Sequence, residues 1–522
     1  MQTKSQVDVV VIGAGISGLT AGALLSKAGL RVTVVEAGAR PGGYLAGFER
    51  QGFVFDTAIQ WLNQCLPGGY CYKVFHHLGA EAPQCKPLSR IRRYKGDSFD
   101  YLLTNEPHVL RDRLISDFPL EAAGIRRFFA HARVLGDRLQ VLNNRMRALE
   151  TMSLWEKTGY GLRMAHWVVP VWKHLKISAE KGLDRYFESD ELKKMFCSED
   201  SMMAVIVPIA WAFTGDIQSP PTGGSQAFVD WLCRRIRASG SQILLNHRAE
   251  SILLQDNRAV GVSLDTGQEI AAEYVLAACD VETVYEKMLP PGVIPETLLR
   301  KLREADLYYS TVSVFLGLDC DPASLGFNEE LVCVTRDDVS RADHSSGDPH
   351  KTSLIVIAPS VRDPRLAPEG KGTLTIHCPA FLDYNERWKT DEGRGRGEAY
   401  RAFKREFAET LIERVEKALA PELRQHIEVL EVATPVTYQR YTGNREGSIM
   451  GARPSNRNIK SKLAHYRTPV KNLLLGGHWS EYGGGLPVAM KSAANTSLLI
   501  LKQSRKAAYE ELRDVIDNDC AG

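Results

Sequence analysis

The fold is decided by residues 9–61, VVVIGAGISGLTAGALLSKAGLRVTVVEAGARPGGYLAGFERQGFVFDTAIQW. Residues 9–12 are a β-branched run, typical of a strand that is buried on both faces of a parallel sheet. Three glycines follow, then an apolar helical stretch over 17–28 that ends at Gly29, and then a second β-branched strand over 31–35. This order of strand, glycine turn, helix and strand predicts a βαβ unit.

The three glycines have the spacing of a dinucleotide-binding turn. Gly13 permits the tight turn out of the strand, Gly15 lets backbone N–H groups approach a pyrophosphate, and Gly18 lets the helix pack close to the sheet. The N-terminus of that helix carries a partial positive charge that favours phosphate. Glu36 lies 18 residues after Gly18, where a carboxylate can accept both hydroxyls of a ribose. Small-residue helix packing produces the same spacing by chance and is the alternative explanation.

A second glycine turn follows, in the residues AGARPGGY of 37–44. A simple nicotinamide dehydrogenase does not need it, whereas FAD is longer and requires more close-lying backbone. Here the chain resembles the flavoprotein superfamily of phytoene desaturases, carotenoid isomerases, retinol saturases and, more distantly, amine and protoporphyrinogen oxidases. In these proteins an acidic residue, R-x-G-G and G-[FY]-x-[FY]-D form the FAD fingerprint, which GFVFD at 52–56 matches. Many relatives have arginine where this chain has Tyr44.

The resemblance implies that FAD is the cofactor. The residues that it implies for FAD binding in this first unit are Gly13, Gly15, Ile16, Ser17, Gly18, Glu36, Ala37, Arg40, Gly42 and Gly43. In the relatives the stretch after F-x-F-D passes beside the flavin ring, so Gln60 and Trp61 are candidate neighbours of the ring or of the substrate. Trp61 is equally well explained as a core residue, because tryptophan is well buried on average.

Two later stretches resemble further parts of the same site. Residues 221–280 read as a glycine turn, a helix and four strands, and in the relatives the main chain near Ala249 meets the adenine. LLLGGHWSEYGGGLPVAM at 473–490 resembles the closing FAD motif, in which free N–H groups at a helix N-terminus stabilise negative charge on the reduced ring. The closing residues predicted to contact the cofactor are Gly477, His478, Gly484, Gly485 and Leu486.

The closing motif also contains the candidate catalytic residues. Glu481 and His478 are the predicted acid or base, because the motif places them near the flavin ring. Most relatives have aspartate or glutamine at the position of His478, and the charge of a histidine can change near neutral pH. Structural hydrogen bonding is the alternative role of both side chains.

Length and composition limit the class of protein. A chain of 522 residues can hold two domains with separate cores, and 44% hydrophobic with 25% charged residues is typical of a soluble globular protein. The formal net charge of +2, without a long basic tract, argues against nucleic acid as a partner. Ten cysteines without a C-x-x-C pair favour reduced thiols in a cytoplasm over disulfides or a metal site.

Neither a signal peptide nor a membrane-spanning helix is expected. The first strand begins by about residue 7, which leaves no room for an apolar targeting segment. The longest apolar run, residues 202–213, contains a proline and is shorter than the roughly 20 residues needed to cross a bilayer.

The distribution of the FAD signals predicts two interleaved domains. The FAD-binding domain is expected in three parts, at 1–69, 220–289 and 433–522, and the substrate domain in two parts, a helical cap at 70–219 and a sheet with helices at 290–432. The predicted fold class is α/β, a Rossmann-like domain with a parallel sheet, helices and a small antiparallel sheet, interleaved with a mixed sheet-plus-helices substrate domain. The amphipathic tail at 503–519 is expected to be solvated.

One segment of the cap has the composition of a membrane-surface helix. Residues 153–175 contain Trp155, Trp167 and Trp172, with basic residues between them. Tryptophan and basic residues around an apolar segment suit peripheral contact at the inner face of a membrane. An ordinary packed helix pair around Pro170 is the alternative.

Taken with the resemblance, these features predict an FAD-dependent oxidoreductase. Its substrate would be a long apolar molecule, a carotenoid-like polyene or an acyl lipid, changed at C–C or C=C bonds by desaturation, saturation or redox-linked isomerisation. Two alternatives stay open. One is a flavin amine oxidase that produces peroxide, and the other is a flavin-binding lipid carrier or redox sensor without catalysis.

Overall fold

The structure is a computed structural model that describes residues 5–58, 62–144, 147–161, 177–215, 218–388 and 396–517. Its strands are β1 (Ser5–Ile12), β2 (Val32–Val35), β3 (Gly47–Arg50), β4 (Phe53–Asp56), β5 (Arg90–Lys95), β6 (Asp100–Thr104), β7 (Gln242–Leu244), β8 (Ala249–Gln255), β9 (Arg258–Leu264), β10 (Glu269–Ala277), β11 (Ser310–Leu318), β12 (Leu331–Val334), β13 (Leu354–Ile357), β14 (Gly372–Ala380), β15 (Ile427–Ala433) and β16 (Leu473–Leu475).

The α-helices lie between these strands and at the C-terminal side of the last one. They span Ile16–Lys27, Tyr70–Leu78, Pro107–Asp117, Ala122–Asn144, Ala179–Leu183, Asp190–Lys194, Met202–Ala212, Gln226–Ala238, Val281–Glu286, Glu296–Arg303, Pro359–Arg362, Glu398–Ala418, Pro435–Thr442, Asn456–Ser461, Gly485–Ser504 and Lys506–Asp517. Residues 154–161 are also helical.

The first sheet has β1 at its centre. Its order is β7-β2-β1-β10-β9-β8, with β16 paired to β10. The pairs of β1 with β2, β1 with β10, β10 with β16 and β2 with β7 are parallel, while β8, β9 and β10 form an antiparallel extension. Residues 9–12 of β1 are almost completely inaccessible to solvent, as expected for a parallel strand that helices cover on both faces.

The second sheet is mixed. Its order is β15-β11-β14-β13-β12-β5-β6, and the pair of β12 with β5 is parallel. The helix Glu398–Ala418 covers one face, where Phe403, Phe407 and Leu411 pack against the buried side chains of β11 and β14. A third, two-stranded sheet consists of β3 and β4, and the three sheets with their helices confirm the predicted fold class.

The structure departs from two sequence expectations. The segment 70–219 contributes β5 and β6 as well as helices, because β5 pairs with β12 from a distant part of the chain. Arg90 of β5 also forms an ion pair with Glu330, 240 residues away. The tail is not simply solvated. Its helix Lys506–Asp517 buries Tyr509, Leu512 and Ile516 against the core of the first sheet.

Candidate functional site

The first glycine turn, residues 13–18, is tightly packed on one side and open on the other. Gly13 has a φ of +100°, and a Cβ there would lie 2.9 Å from the carbonyl oxygen of Ala278. A Cβ on Gly18 would lie 2.0 Å from the carbonyl oxygen of Gly13, so the first helix can approach β1 only with glycine at this position. A Cβ on Gly15 would meet no atom within 4 Å. The open side of the turn therefore leaves space for a ligand group beside Gly15.

Glu36 links the end of β2 to the first glycine turn. Its Oε2 accepts a hydrogen bond from the Ala14 N–H at 2.8 Å, and its Oε1 accepts one from the Gly38 N–H at 2.7 Å. These bonds hold the carboxylate beside the turn. Each carboxylate oxygen keeps a further lone pair for a ribose hydroxyl.

The second glycine turn, residues 42 and 43, lies directly on the first. The Gly42 N–H donates to the carbonyl oxygen of Ala14 at 2.7 Å, and Gly42 forms a parallel bridge with Gly15. A Cβ on Gly43 would lie 3.2 Å from the Cα of Gly15. Ala37 and Arg40, between the two turns, are exposed. The two turns therefore form one glycine-lined floor.

The central stretch, residues 221–280, contacts Glu36 beside these two glycine turns. The His247 N–H donates to the carbonyl oxygen of Glu36 at 2.9 Å. Two residues later Ala249 begins β8 and is buried. The start of β8 therefore lies close to Glu36, and the contact of the main chain near Ala249 with adenine stays a prediction.

The closing turn, residues 476–485, contacts the first helix, Ile16–Lys27. The Gly477 N–H donates to Ser17 Oγ at 2.9 Å, a contact between residues 460 positions apart. A Cβ on Gly477 would meet no atom within 4 Å. Gly484 has a φ of +64° and precedes the helix Gly485–Ser504, and a Cβ on Gly484 would lie 2.6 Å from Met450. Leu486 is buried behind the turn, while Gly485 is exposed.

These elements fit a flavin dinucleotide. The helices Ile16–Lys27 and Gly485–Ser504 both begin at the site, and neither has an acidic residue in its first turn. The first N–H groups of a helix have no intrahelical partner and favour an anion. A Cβ on Gly15 or on Gly477 would meet no protein atom within 4 Å, so a ligand can come close to the backbone at both turns.

His478 is predicted to change charge near neutral pH, and this expectation is wrong. The surrounding protein excludes water from the imidazole and lowers its pKa from 6.5 to about 4, so His478 is neutral at pH 7. The ring lies against Gly451, where a Cβ would be 2.3 Å from its Cδ2. Its Nε2 is buried and has no hydrogen-bond partner within the described ranges.

Glu481 is already held by two neighbours. Its Oε1 accepts a hydrogen bond from the Tyr466 hydroxyl at 2.5 Å, and its Oε2 forms an ion pair with Lys491 Nζ at 3.0 Å. Burial raises the pKa of Tyr466 well above 10, so this phenol stays a donor to the carboxylate. The contacts explain the position of Glu481 structurally and leave its catalytic role a prediction.

Asp280 has a buried oxygen without a partner among the described residues, near the first glycine turn's neighbour Ala278, and the sequence reasoning did not single it out. It follows β10 and caps the helix Val281–Glu286, where its Oδ2 accepts from the Thr283 N–H at 2.8 Å. Its Oδ1 is buried without a partner in the part of the chain that the structure describes. Burial raises its pKa. An acidic residue three positions after the end of a buried parallel strand was the available signal, because carboxyl ends of parallel strands form binding sites.

A buried chain of hydrogen bonds connects the second sheet with the first unit. The Tyr438 hydroxyl donates to the carbonyl oxygen of Thr57 at 3.0 Å, and Ser313 Oγ lies 2.7 Å from the same hydroxyl. Ser313 Oγ also lies 2.8 Å from His377 Nδ1. Tyr44 stacks on Tyr438 and donates its hydroxyl to the Ser448 carbonyl oxygen at 2.7 Å. Tyr44 thus links the second glycine turn to the helix Pro435–Thr442 and the loop after it.

Two predicted site residues and most of the tryptophan-rich segment fall outside the described residues. Gln60 and Trp61 belong to 59–61, and Trp167 and Trp172 belong to 162–176. Their predicted roles stay predictions. Among the helices that the structure describes, none is both long and apolar enough to span a bilayer.

Comparison with known proteins identifies the family. Residues 16–501 match the family described as flavin containing amine oxidoreductase. An all-trans-retinol 13,14-reductase of Danio rerio is 26% identical over 91% of this chain and 83% of the relative. A chloroplastic prolycopene isomerase 1 of an Oncidium hybrid cultivar is 26% identical over 86% of this chain and 76% of the relative.

Solved structures show the same fold. Wild-type putrescine oxidase bound to putrescine aligns with a TM-score of 0.60 and 14% identity, over 96% of this chain and all of that one. The chain belongs to the flavin-containing amine oxidoreductase family, and the resemblance stated from its motifs is confirmed. It is therefore a flavin oxidoreductase by family.

Proposed function

We propose that this protein binds FAD and changes C–C or C=C bonds of a long apolar substrate. One observation carries the cofactor assignment. The first glycine turn, Glu36 and the second glycine turn lie against one another, and the closing turn contacts the first helix at Ser17 although 460 positions separate them in the chain. Two helix N-termini and a fixed carboxylate in one glycine-lined site suit a pyrophosphate with a ribose on one side.

The parts of FAD have distinct partners in this arrangement. The pyrophosphate would lie at the open side of Gly15, and the adenosine ribose would be bound by Glu36. The ring end would lie toward the closing turn, at the N-terminus of Gly485–Ser504. Bound flavin supplies hydride transfer, while the protein binds, orients and excludes water.

The relatives support an apolar substrate. Proteins named for the reduction of all-trans-retinol and for the isomerisation of prolycopene match most of this chain. Both names describe polyenes, whose conjugated double bonds are changed by reduction, oxidation or redox-linked isomerisation. Saturation, desaturation and isomerisation of a carotenoid-like polyene or acyl lipid are the reactions that we propose.

A reaction that adds or removes a proton needs an acid or base. Glu481 and His478 are the residues that we propose for this task. His478 is neutral and has an unpartnered buried nitrogen, so it can form a hydrogen bond there, whereas its lowered pKa makes it a weak base. Glu481 can exchange a proton only if its bond to Tyr466 or its ion pair with Lys491 rearranges.

Specific observations favour each alternative function. The family description and the likeness to putrescine oxidase favour an amine oxidase. An inactive all-trans-retinol 13,14-reductase of Danio rerio, 23% identical over 93% of this chain, is an example of a relative named as inactive, which favours a flavin-binding protein without catalysis. A cytoplasmic location with contact at a membrane surface is consistent with the proposed function and with both alternatives.

The first experiment is a visible spectrum of protein that was purified without added cofactor, followed by extraction of any bound lipid. We expect flavin bands, FAD on extraction, and a polyene or acyl compound. The extracted compound and all-trans-retinol are then tested anaerobically for reduction of the oxidised flavin and for reoxidation of the reduced flavin. A colourless protein that FAD cannot reconstitute contradicts the cofactor assignment.

The substrate assignment is tested by the same reactions. Peroxide formation with a primary amine, and no reaction with polyenes, would favour the amine oxidase. Flavin that no polyene, acyl lipid or amine reduces or reoxidises would favour the non-catalytic protein.

A further inference from the structure

Three side chains with metal-binding atoms meet at one end of the second sheet. Asp319 and Cys320 directly follow β11, and His426 directly precedes β15. We call these three residues the Asp319 cluster. The Asp319 N–H donates to the His426 carbonyl oxygen at 2.9 Å, which continues the pairing of the two strands. The backbone therefore fixes the positions from which the three side chains project.

The donor atoms of the Asp319 cluster are close enough for one metal ion. A carboxylate oxygen of Asp319, the Cys320 Sγ and a ring nitrogen of His426 all lie within 4.8 Å of one another. Atoms that bind zinc at about 2.0–2.3 Å lie about 3.3–3.8 Å apart in a tetrahedral site. Shifts of about an ångström therefore bring the three atoms to these distances. Rotations about the side-chain bonds can provide such shifts.

An ion can reach the Asp319 cluster from solvent. The side chain of Asp319 is 53% exposed and that of His426 is 30% exposed. Cys320 is half-buried and packs against the core of the second sheet. Zinc that has three protein ligands keeps its fourth position for water, and the exposed side of the cluster leaves room for that water.

The charges around the Asp319 cluster favour a cation. Among the described residues, Asp319 forms its ion pair with His426 and none with a lysine or arginine. Asp321 adds a second carboxylate directly after Cys320, where its Oδ1 accepts from the Ala323 N–H at 2.9 Å. Arg424, two residues before His426, is paired with two glutamates, Glu409 and Glu416. The charge of this arginine is therefore already balanced.

The set of donors indicates which metal fits. A thiolate and an imidazole suit Zn²⁺, whereas Mg²⁺ and Ca²⁺ prefer oxygen ligands. An ordinary surface ion pair needs only the carboxylate and the imidazole, which lie 2.8 Å apart here. The adjacent thiol is the third donor that distinguishes this cluster. Asp319 and His426 are 107 positions apart in the chain, so the spacing of the cysteines gives no sign of the site.

We propose that the Asp319 cluster binds one Zn²⁺ ion, with Asp319, Cys320 and His426 as ligands and water in the fourth position. The Cys320 thiol releases its proton to solvent when it binds the ion. None of the three residues belongs to the proposed flavin site, so zinc binding is independent of the proposed function. The ion would tie the end of β11 to the start of β15. Because the donors meet only in the folded chain, its binding would stabilise the second sheet.

The test titrates ZnCl₂ calorimetrically into the full-length protein as purified, without an affinity tag. We expect a saturable site in the wild type that MgCl₂ does not fill. Loss of a group that merely supports a metal ligand lowers metal affinity by about 10–100-fold. Loss of a ligand itself, in Cys320→Ser or in His426→Gln, should therefore weaken this site at least about tenfold. Zinc binding elsewhere is common to all these proteins, so their difference isolates the cluster.

His108 and Cys197 provide matched controls. His108 forms an exposed ion pair with Glu106, with its Nε2 at 3.5 Å from the carboxylate. Cys197 is half-buried, as Cys320 is. In the part of the chain that the structure describes, neither belongs to a group of three donors that could hold one ion. His108→Gln and Cys197→Ser should therefore keep the zinc affinity of the wild type.

X-ray absorption at the zinc edge identifies the ligands directly. The zinc-loaded wild type should have one sulfur at about 2.3 Å and nitrogen or oxygen atoms at about 2.0–2.2 Å. The sulfur should be absent in Cys320→Ser. Zinc should also raise the Tm of the wild type and leave that of Cys320→Ser unchanged.

Several results overturn the zinc assignment. No saturable zinc binding by the wild type contradicts it, and so does an affinity that survives both Cys320→Ser and His426→Gln. Magnesium that binds as tightly as zinc would show an acidic surface only. A zinc shell without sulfur would exclude Cys320 as a ligand. The flavin spectrum is measured on the same samples, so failure of the flavin assignment is seen separately.

Discussion

Gly15 is the residue at which cofactor binding can be separated from folding. Its φ is −70° and a Cβ there would meet no atom within 4 Å, so alanine is compatible with the fold. The added methyl group would occupy the space that we assign to the pyrophosphate. We expect Gly15→Ala to lower FAD affinity at least tenfold while the Tm of the flavin-free protein stays within about 2 °C, measured by flavin titration and thermal unfolding.

Gly161 is the control for this substitution. It lies in the helical segment 154–161, and a Cβ there would also meet no atom within 4 Å. Gly161→Ala should leave FAD affinity unchanged. Full retention of flavin by Gly15→Ala would show that the first glycine turn does not hold the pyrophosphate.

Two substitutions separate a catalytic role of Glu481 from the structural effect of its ion pair with Lys491. Glu481→Gln removes the proton-accepting group but keeps an oxygen for the Tyr466 hydroxyl, whereas Lys491→Gln removes the ion pair and keeps the carboxylate. If Glu481 transfers a proton, Glu481→Gln should reduce turnover by about a hundredfold with flavin retained, and Lys491→Gln should have a much smaller effect. Equal losses of turnover in the two variants would assign Glu481 a structural role.

Two histidines make stability depend on pH. His377 and His478 have pKa values of about 4, lowered from 6.5 by the removal of water. As the pH falls below 6.5, the unfolded chain binds protons at these positions and the folded chain does not, so stability is lost with decreasing pH. Each histidine should reduce the free energy of unfolding by about 2 kcal/mol between pH 7.5 and pH 5.

Urea unfolding of the flavin-free protein at these two pH values measures the effect. His478→Gln should remove the contribution of His478 to this loss in the free energy of unfolding. The variant should therefore lose less stability than the wild type on acidification. Because every other group is common to both proteins, the difference between them isolates this histidine. An identical loss in both would mean that His478 is not shielded from water.

The helical segment 154–161 is the element to test for membrane contact. Leu154 is 78% exposed and Trp155 is 88% exposed, an unusual exposure for side chains that are normally buried. Both begin the tryptophan-rich stretch that we predict to lie at a membrane surface. We expect the protein to co-sediment with liposomes, and Leu154→Ser with Trp155→Ala to reduce the bound fraction severalfold.

Leu120 is the matched control, since it is fully exposed but lies outside this stretch. Leu120→Ser should leave liposome binding unchanged. If the wild type fails to bind both neutral and anionic liposomes, the segment has no membrane role.

At the scale of the whole molecule, the proposed FAD site exists only when three distant stretches are assembled. The Gly477 N–H reaches Ser17, and the His247 N–H reaches Glu36, so the site is absent from the unfolded chain. A ligand that binds only the folded state stabilises it by mass action, by about 2.7 kcal/mol at a hundred times Kd. We expect FAD to raise the Tm of the flavin-free protein by several degrees.

FMN is the comparison ligand, because it lacks the adenosine part. It cannot reach from the closing turn to Glu36, so it should raise the Tm less than FAD at equal concentration. An equal increase with FMN would contradict the assignment of Glu36 to the ribose of a dinucleotide.

Much of the first sheet and of the glycine turns is predictable from the sequence. The β-branched run of β1, the glycines at 13, 15 and 18 and the acidic Glu36 are close in the chain, and their pattern depends on local backbone geometry. The helix that the sequence predicts within residues 221–280 is also found, at Gln226–Ala238. Local periodicity and turn chemistry suffice for these elements because short-range steric constraints determine them.

The tertiary structure alone decided which distant groups meet and which lose water. The parallel pairing of β5 with β12, the role of Asp280, the neutral state of His478 and the unpartnered hydroxyl of Ser310 have no local signature. A pKa and an unmade hydrogen bond depend on neighbours that come from far along the chain and on the water that they exclude. The sequence by itself thus determined the family and the cofactor motifs, while the folded chain determined which side chains of the site are shielded from water.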